Sequence, residues 1–263
     1  KVEHSLWVGG TNHRTLYKYD GATGDLLLQI EGPTGVYGLA LDGGGQLWIS
    51  GRTDGNYLGR LDTTQCIDQA TCDAAEVCVR DCTTPACTCD AACSTSCDDA
   101  VKERILLPSD TYGITVDFKQ RVWMGGSTVQ RYNPAVPAAQ RYAQISGLQF
   151  THGIAADADG FVWGAGNNNA VLRIDGDTLA NVYAPLGGGS KGIAVDKDGK
   201  IWSIERGANA HVVLPGPMID DNVVQTNAVT GLGDCYTYSD MTGLQLALAA
   251  NDPGYYRETF EGC

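Results

Sequence analysis

No stretch of this 263-residue chain holds the roughly 20 consecutive apolar residues that a membrane-spanning helix needs, so membrane insertion is not expected. Basic residues are scarce: 18 Lys and Arg stand against 31 Asp and Glu, for a formal net charge of −13. That balance leaves little to neutralise a phosphate backbone, so nucleic acid is excluded as an expected partner and anionic membrane surfaces are disfavoured. Apolar residues spaced at 3.6 are missing from the repeated segments, which excludes a helical solenoid. There is no Gly-x-Ser-x-Gly, no phosphate-binding P-loop and no Cys/His catalytic signature. No basic and apolar secretory leader opens the chain, which is read as mature or truncated.

Glycine, by contrast, is abundant at 34 residues and spread evenly, as a chain with many turns requires. Four segments align without gaps over eleven positions: Gly38 to Trp48, Gly113 to Trp123, Gly153 to Trp163 and Gly192 to Trp202. In each, an Asp follows the Gly by four positions and a Trp follows it by ten: Asp42/Trp48, Asp117/Trp123, Asp157/Trp163 and Asp196/Trp202. Trp7 heads a further copy without its front half. Each unit reads as a short strand of small and β-branched residues, an Asx-type turn and a second strand carrying the Trp. A third strand (Leu16 to Asp20, Leu58 to Asp62, Val129 to Asn133, Val171 to Asp175) and a variable fourth complete it. Four strands in about forty residues make a β-propeller blade. The fold class expected is therefore all-β, a single propeller domain over residues 1–263.

The first two complete copies are 75 residues apart, against 40 and 39 for the next two steps. The extra length coincides with a segment, residues 64–101, that is rich in Cys, Ala, Thr and Asp and poor in large apolar side chains. It cannot build a core, so disulfides are expected to hold it. Its cysteines are Cys66, Cys72, Cys78, Cys82, Cys87, Cys89, Cys93 and Cys97. Zinc is the alternative, on the spacing of Cys87-x-Cys89 and Cys93-x3-Cys97, but no histidine lies in the insert. Ten cysteines in all indicate an oxidising compartment, hence a secreted, extracellular or cell-surface protein. Pairing is not readable from spacing. Residues 235–263 form a degenerate terminal copy with Asp240 in the Asp position, bracketed by Cys235 and Cys263, which are expected to bridge. The expectation is six visible or partial blades of a ring of up to seven, with a piece missing at the N-terminus and a continuation beyond Cys263.

In a propeller, the residues just before each repeat Gly gather at one mouth of the central channel. Here they are Tyr37, Tyr112, His152 and Lys191. Residues beyond each Trp, among them Arg52, Asn167, Glu205 and Arg206, should lie nearby. Equivalent positions hold different polar residues, which suggests a surface differentiated for a small molecule, glycan or protein ligand. The recurring aspartates read as turn residues. Calcium binding is the alternative for them, but the Asp-x-Asp-Gly stretches are too short for an EF-hand loop. His4, His13 and His211 show no partner pattern.

The segment Lys200 to Asn209 (KIWSIERGAN) and the run Thr151-His152-Gly153-Ile154 resemble repeat motifs of the bacterial virginiamycin B lyase (streptogramin lyase) family. The resemblance implies a seven-bladed propeller and a magnesium-dependent carbon–oxygen lyase opening a cyclic depsipeptide ester through a His/Glu pair fourteen residues apart. At that spacing this chain has Lys191 with Glu205 and His152 with Gly166, so each repeat keeps half of the pair. Were the activity kept, Glu205 would be the metal ligand and His152 or Lys191 the base. The divided pair favours a secreted or cell-surface binding and scaffold module, with any ligand at the mouth; a third reading is a structural spacer in a larger bacterial envelope chain.

Overall fold

Five β-sheets succeed one another along the chain in the computed structural model, which describes residues 5–11, 13–186, 188–206 and 209–233. The first has three strands, β1 (Ser5–Gly9), β2 (Thr15–Asp20) and β3 (Leu26–Glu31). The second opens with β4 (Gly38–Leu41), β5 (Gln46–Ser50) and β6 (Tyr57–Asp62). The Cys-rich stretch then contributes a short helix α1 (Gln69–Ala74) and strands β7 (Val77–Asp81) and β8 (Thr88–Cys89) before β9 (Lys102–Leu106). The order in that sheet is β4-β5-β6-β9-β7-β8, with β7 running parallel to β9. Three four-stranded antiparallel meanders follow. They are β10 (Ile114–Val116), β11 (Val122–Met124), β12 (Val129–Tyr132) and β13 (Tyr142–Ile145); β14 (Thr151–Ala156), β15 (Phe161–Gly166), β16 (Ala170–Asp175) and β17 (Asn181–Pro185); and β18 (Ser190–Val195), β19 (Ile201–Glu205), β20 (Ala210–Pro215) and β21 (Asn222–Val229). The first strands β1, β4, β10, β14 and β18 touch one another in chain order. The expected sixth copy, with Cys235, Asp240 and Cys263, lies outside the described residues.

Apolar layers between consecutive sheets form the core. Trp48, Leu58 and Ile105 of the second sheet meet Val116, Val122 and Met124 of the third. Trp123 and Val129 meet Ile154 and Val162, and Trp163 and Val171 meet Ile193 and Val195. The residue paired with each indole on the first strand is small: Ala40, Thr115, Ala155 and Ala194. A larger side chain there would collide with the ring. On the other side, three of the four indoles pair with an arginine, Arg60, Arg131 or Arg173. The Arg173 guanidinium lies 5.0 Å from the Trp163 ring centroid and that of Arg131 lies 5.7 Å from Trp123.

The recurring Asp does more than turn the chain. In all four units its Oδ2 accepts a hydrogen bond from the indole Nε1 six residues on, at 2.9 Å for Asp42, 2.9 Å for Asp117, 2.7 Å for Asp157 and 2.8 Å for Asp196. Its Oδ1 accepts backbone N–H groups two and four residues on, as from Asp159 and Phe161 onto Asp157. One carboxylate thus closes the turn and sets the rotamer of the core tryptophan. Burial pushes the Asp157 carboxyl up to about 6, against the lowering pull of those donors. Because these oxygens are spent on the indole and the turn, the repeated aspartates are poorly suited to holding calcium.

Disulfides pair all eight cysteines of the insert: Cys66–Cys72, Cys78–Cys93, Cys82–Cys87 and Cys89–Cys97. This leaves no thiolate there for zinc. The pairings close loops of only 5 to 15 residues, each worth about 2–3 kcal/mol on a chain-entropy account. Buried ions tie the insert to the blade. Glu103 on β9 accepts from Arg60 Nε at 2.8 Å and from Arg80 Nε of β7 at 2.6 Å. Arg60 also donates to the backbone carbonyls of Cys97 and Ala100 at 2.6 and 3.0 Å. Asp98 reaches across to the third sheet and takes a two-pronged contact from Arg141 at 2.5 and 3.0 Å.

Candidate functional site

Each sheet's first strand begins where the chain comes over from the strand before it, and those beginnings collect side chains from neighbouring sheets. Tyr37 precedes β4, Tyr112 precedes β10, and Phe150 and His152 flank the start of β14. Their rings form one cluster. Tyr37 and Tyr112 meet edge to face at 4.7 Å between centroids, Tyr112 meets Phe150 at 5.4 Å and His152 at 5.2 Å, and Phe150 meets His152 at 4.9 Å. Backbone supports the arrangement, since Gly113 N–H donates to the His152 carbonyl at 3.0 Å. A Cβ at Gly113 would fall on that same carbonyl, so only glycine permits this approach between β10 and β14.

Two cations border the rings. Arg52, on the loop after β5, is exposed and lies over Tyr112 at 4.1 Å, with Tyr37 at 5.3 Å and Phe150 at 5.8 Å. No carboxylate among the described residues pairs with it. Lys191, at the start of β18, sits 2.5 Å through Nζ from His152 Nε2 and donates to Asn167 Oδ1 at 3.4 Å. Burial first, then the charges of Lys191 and Arg52, push the His152 imidazole down to about 4. His152 is therefore neutral at physiological pH and accepts from the lysine ammonium. In the unfolded chain it titrates near 6.5. The unfolded state binds more protons between these values, so stability is full above about pH 6.5 and falls as pH drops toward 4. An NMR titration that follows the His152 ring is expected to give a midpoint of about 4.

Glu205 stands opposite Ser190, the neighbour of Lys191, in the register of β18 and β19. It ends β19 as a buried carboxylate, with Oε2 accepting from Asn209 Nδ2 at 3.1 Å and Oε1 3.1 Å from His211 Nε2. The latter is a close approach rather than an aligned hydrogen bond. His211 Nδ1 accepts the Asn227 N–H at 3.2 Å, which leaves the proton on Nε2, facing Glu205. A Cβ at Gly188 would land on the Glu205 carboxylate, so the backbone at Gly188 closes over it. His211, to which the sequence assigned nothing, is thus the imidazole beside Glu205. The register Ser203↔His211 across β19 and β20 is the signal that places it there. Asn167 and Arg206 are both exposed.

No protein-family model matches the chain, and no curated protein matches it in sequence. Its shape has clear likenesses among solved structures. Virginiamycin B lyase from Staphylococcus aureus superposes with a TM-score of 0.61 at 15% identity, covering 87% of this chain and 68% of that one. A chain of the mitotic checkpoint complex gives 0.61 at 13%, covering 92% and 66%. The WD40 repeats of RRP9 give 0.54 at 11%, covering 91% and 67%. The fold is that of a β-propeller. This propeller chain spans about two thirds of the length of each of those structures. Identities this low carry the fold and nothing finer, so the chemistry of the mouth rests on its own residues.

Proposed function

We propose that this chain is a secreted β-propeller binding module whose ligand seats at the mouth, on the rings of Tyr37, Tyr112 and Phe150 and against Arg52 and Lys191. The observation that carries the reading is Arg52. A guanidinium held over three rings, with no carboxylate partner among the described residues of a chain with a net charge of −13, is an uncompensated cation in an acidic surface. Aromatic area flanked by a few convergent polar groups is what small-molecule and glycan sites are made of. The four disulfides are consistent with an extracellular setting.

Screening glycans, peptides and small organic acids, then measuring each hit by calorimetry against the Arg52→Ala variant, tests the reading. Arg52 is exposed, so its loss leaves the fold intact. A ligand is expected whose affinity falls about tenfold or more without Arg52, as the loss of one charge-assisted contact implies. Hits indifferent to both Arg52→Ala and Lys191→Met would put the binding surface elsewhere.

The lyase reading is weaker. Magnesium takes hard oxygen ligands and keeps several waters. The one carboxylate in question, Glu205, has its oxygens against the Asn209 amide and the His211 ring, with the Gly188 backbone closed over them. That arrangement does not fit an ion. Incubation with a streptogramin B and magnesium is expected to leave the cyclic ester intact by mass spectrometry.

A further inference from the structure

Beside the aromatic cluster lies a groove of about 290 Å³ lined by Trp7, Val8, Val36, Tyr37, Leu39 and Ile114. Its side chains come from β1, β4 and β10 and the turns before them, so it runs along the first strands of three consecutive sheets. Apart from the Tyr37 hydroxyl and the Trp7 indole nitrogen, those six side chains carry only carbon. Tyr37 belongs to both features: it forms a wall of the groove, and its ring lies under the Arg52 guanidinium at 5.3 Å. An apolar slot therefore opens next to a cation that no acidic side chain among the described residues neutralises.

We infer that the mouth binds an amphipathic monocarboxylate, with the carboxylate on Arg52 and an apolar body of about ten carbons in the groove along β1, β4 and β10. This assignment rests on the binding reading above and names its ligand class. Three physical points converge on it. The volume is at the small end of ligand sites, which start near 300 Å³, so the slot suits a bicyclic ring or a medium-length chain and not an oligosaccharide. Arg52 is held from below by Tyr112 at 4.1 Å, which orients a planar fork of donors before any ligand arrives. Carboxylates match that fork with two parallel hydrogen bonds, whereas an alcohol of the same shape offers one. Lys191, against His152, adds a second positive charge that acts on the cluster together with Arg52.

The test compares naphthalene-2-carboxylate with 2-naphthylmethanol, its neutral isostere, by calorimetry on the whole chain at pH 7. Wild type is expected to bind the acid at least about tenfold more tightly than the alcohol. Arg52→Met keeps the length and contact area but removes the charge, and should bring the acid down to the affinity of the alcohol. Val8→Trp, at an exposed position on the groove wall, should fill the slot and weaken both probes. Thermal unfolding confirms that each variant is folded. Equal affinities for acid and alcohol, or an Arg52→Met variant that binds the acid like wild type, overturn the carboxylate assignment. If those results come with a glycan or peptide ligand that still depends on Arg52, the binding reading survives and this one does not. If no ligand of any class depends on Arg52, both fail.

Discussion

Replacing Glu103 with leucine is expected to destabilise the protein by about 3–5 kcal/mol, the cost of leaving buried charges without their counter-ion. Glu103 is 3% exposed and sits between two guanidiniums that are themselves 9% and 5% exposed, those of Arg60 and Arg80. Losing it leaves two cations in a low-dielectric layer with one carboxylate, Asp98, still in contact with Arg80. The same change removes the ion pair that reinforces the β7–β9 ladder, so the effect should spread into the disulfide-bonded insert. Urea unfolding monitored by tryptophan fluorescence gives the magnitude. Hydrogen exchange should show lost protection between residues 66 and 97 before the other blades open. A loss below about 1 kcal/mol would show that water reaches the triad and that surface-type ion pairing applies.

An effect of similar size is expected from Asp117→Ala. That carboxylate accepts from Trp123 Nε1 at 2.9 Å and Arg121 Nε at 2.6 Å, and from the backbone N–H groups of Lys119 and Arg121 at 2.9 and 3.0 Å. Its removal strands four donors in the layer between the third and fourth sheets, three of them on fully or nearly fully buried residues. Each unsatisfied buried donor costs about 1–3 kcal/mol, with Arg121 partly compensated by Asp177 at 2.6 Å. The equivalent Asp196→Ala change should cost much less, because Trp202 and Asp196 are only half-buried and no arginine joins them. The two melting curves, measured side by side, separate a core role from a turn role. Equal losses would mean that the turn alone accounts for the repeat.

The blade was legible because its determinants are local. A Gly, an Asp four residues on and a Trp ten residues on describe one hairpin, and a hairpin repeated four times needs no long-range information. That the Asp also binds the Trp indole was not visible from spacing alone, since Asp-x-x-Gly is sufficient for an Asx turn. The candidate mouth was legible in part for the same reason: Tyr37, Tyr112, His152 and Lys191 share one repeat position. The contacts among the rings, and the closeness of Glu205 to His211, depend on how neighbouring strands and sheets meet. Phe150, a member of the cluster, was missed because it sits two residues before His152 in a run with no repeat signature. Arg52 stood out only as a residue beyond a tryptophan, and its stacking on three rings required the third dimension.

Ring-resolved NMR of the tyrosines addresses the proposed binding site most directly. Eight tyrosines lie among the described residues, and of these only Tyr37 and Tyr112 belong to the aromatic cluster under Arg52. On titration with naphthalene-2-carboxylate, the ring signals of those two are expected to shift together with saturation, while those of Tyr17, Tyr19, Tyr57, Tyr132, Tyr142 and Tyr183 stay in place. Saturable binding that leaves both signals unmoved would contradict a ligand site at this mouth.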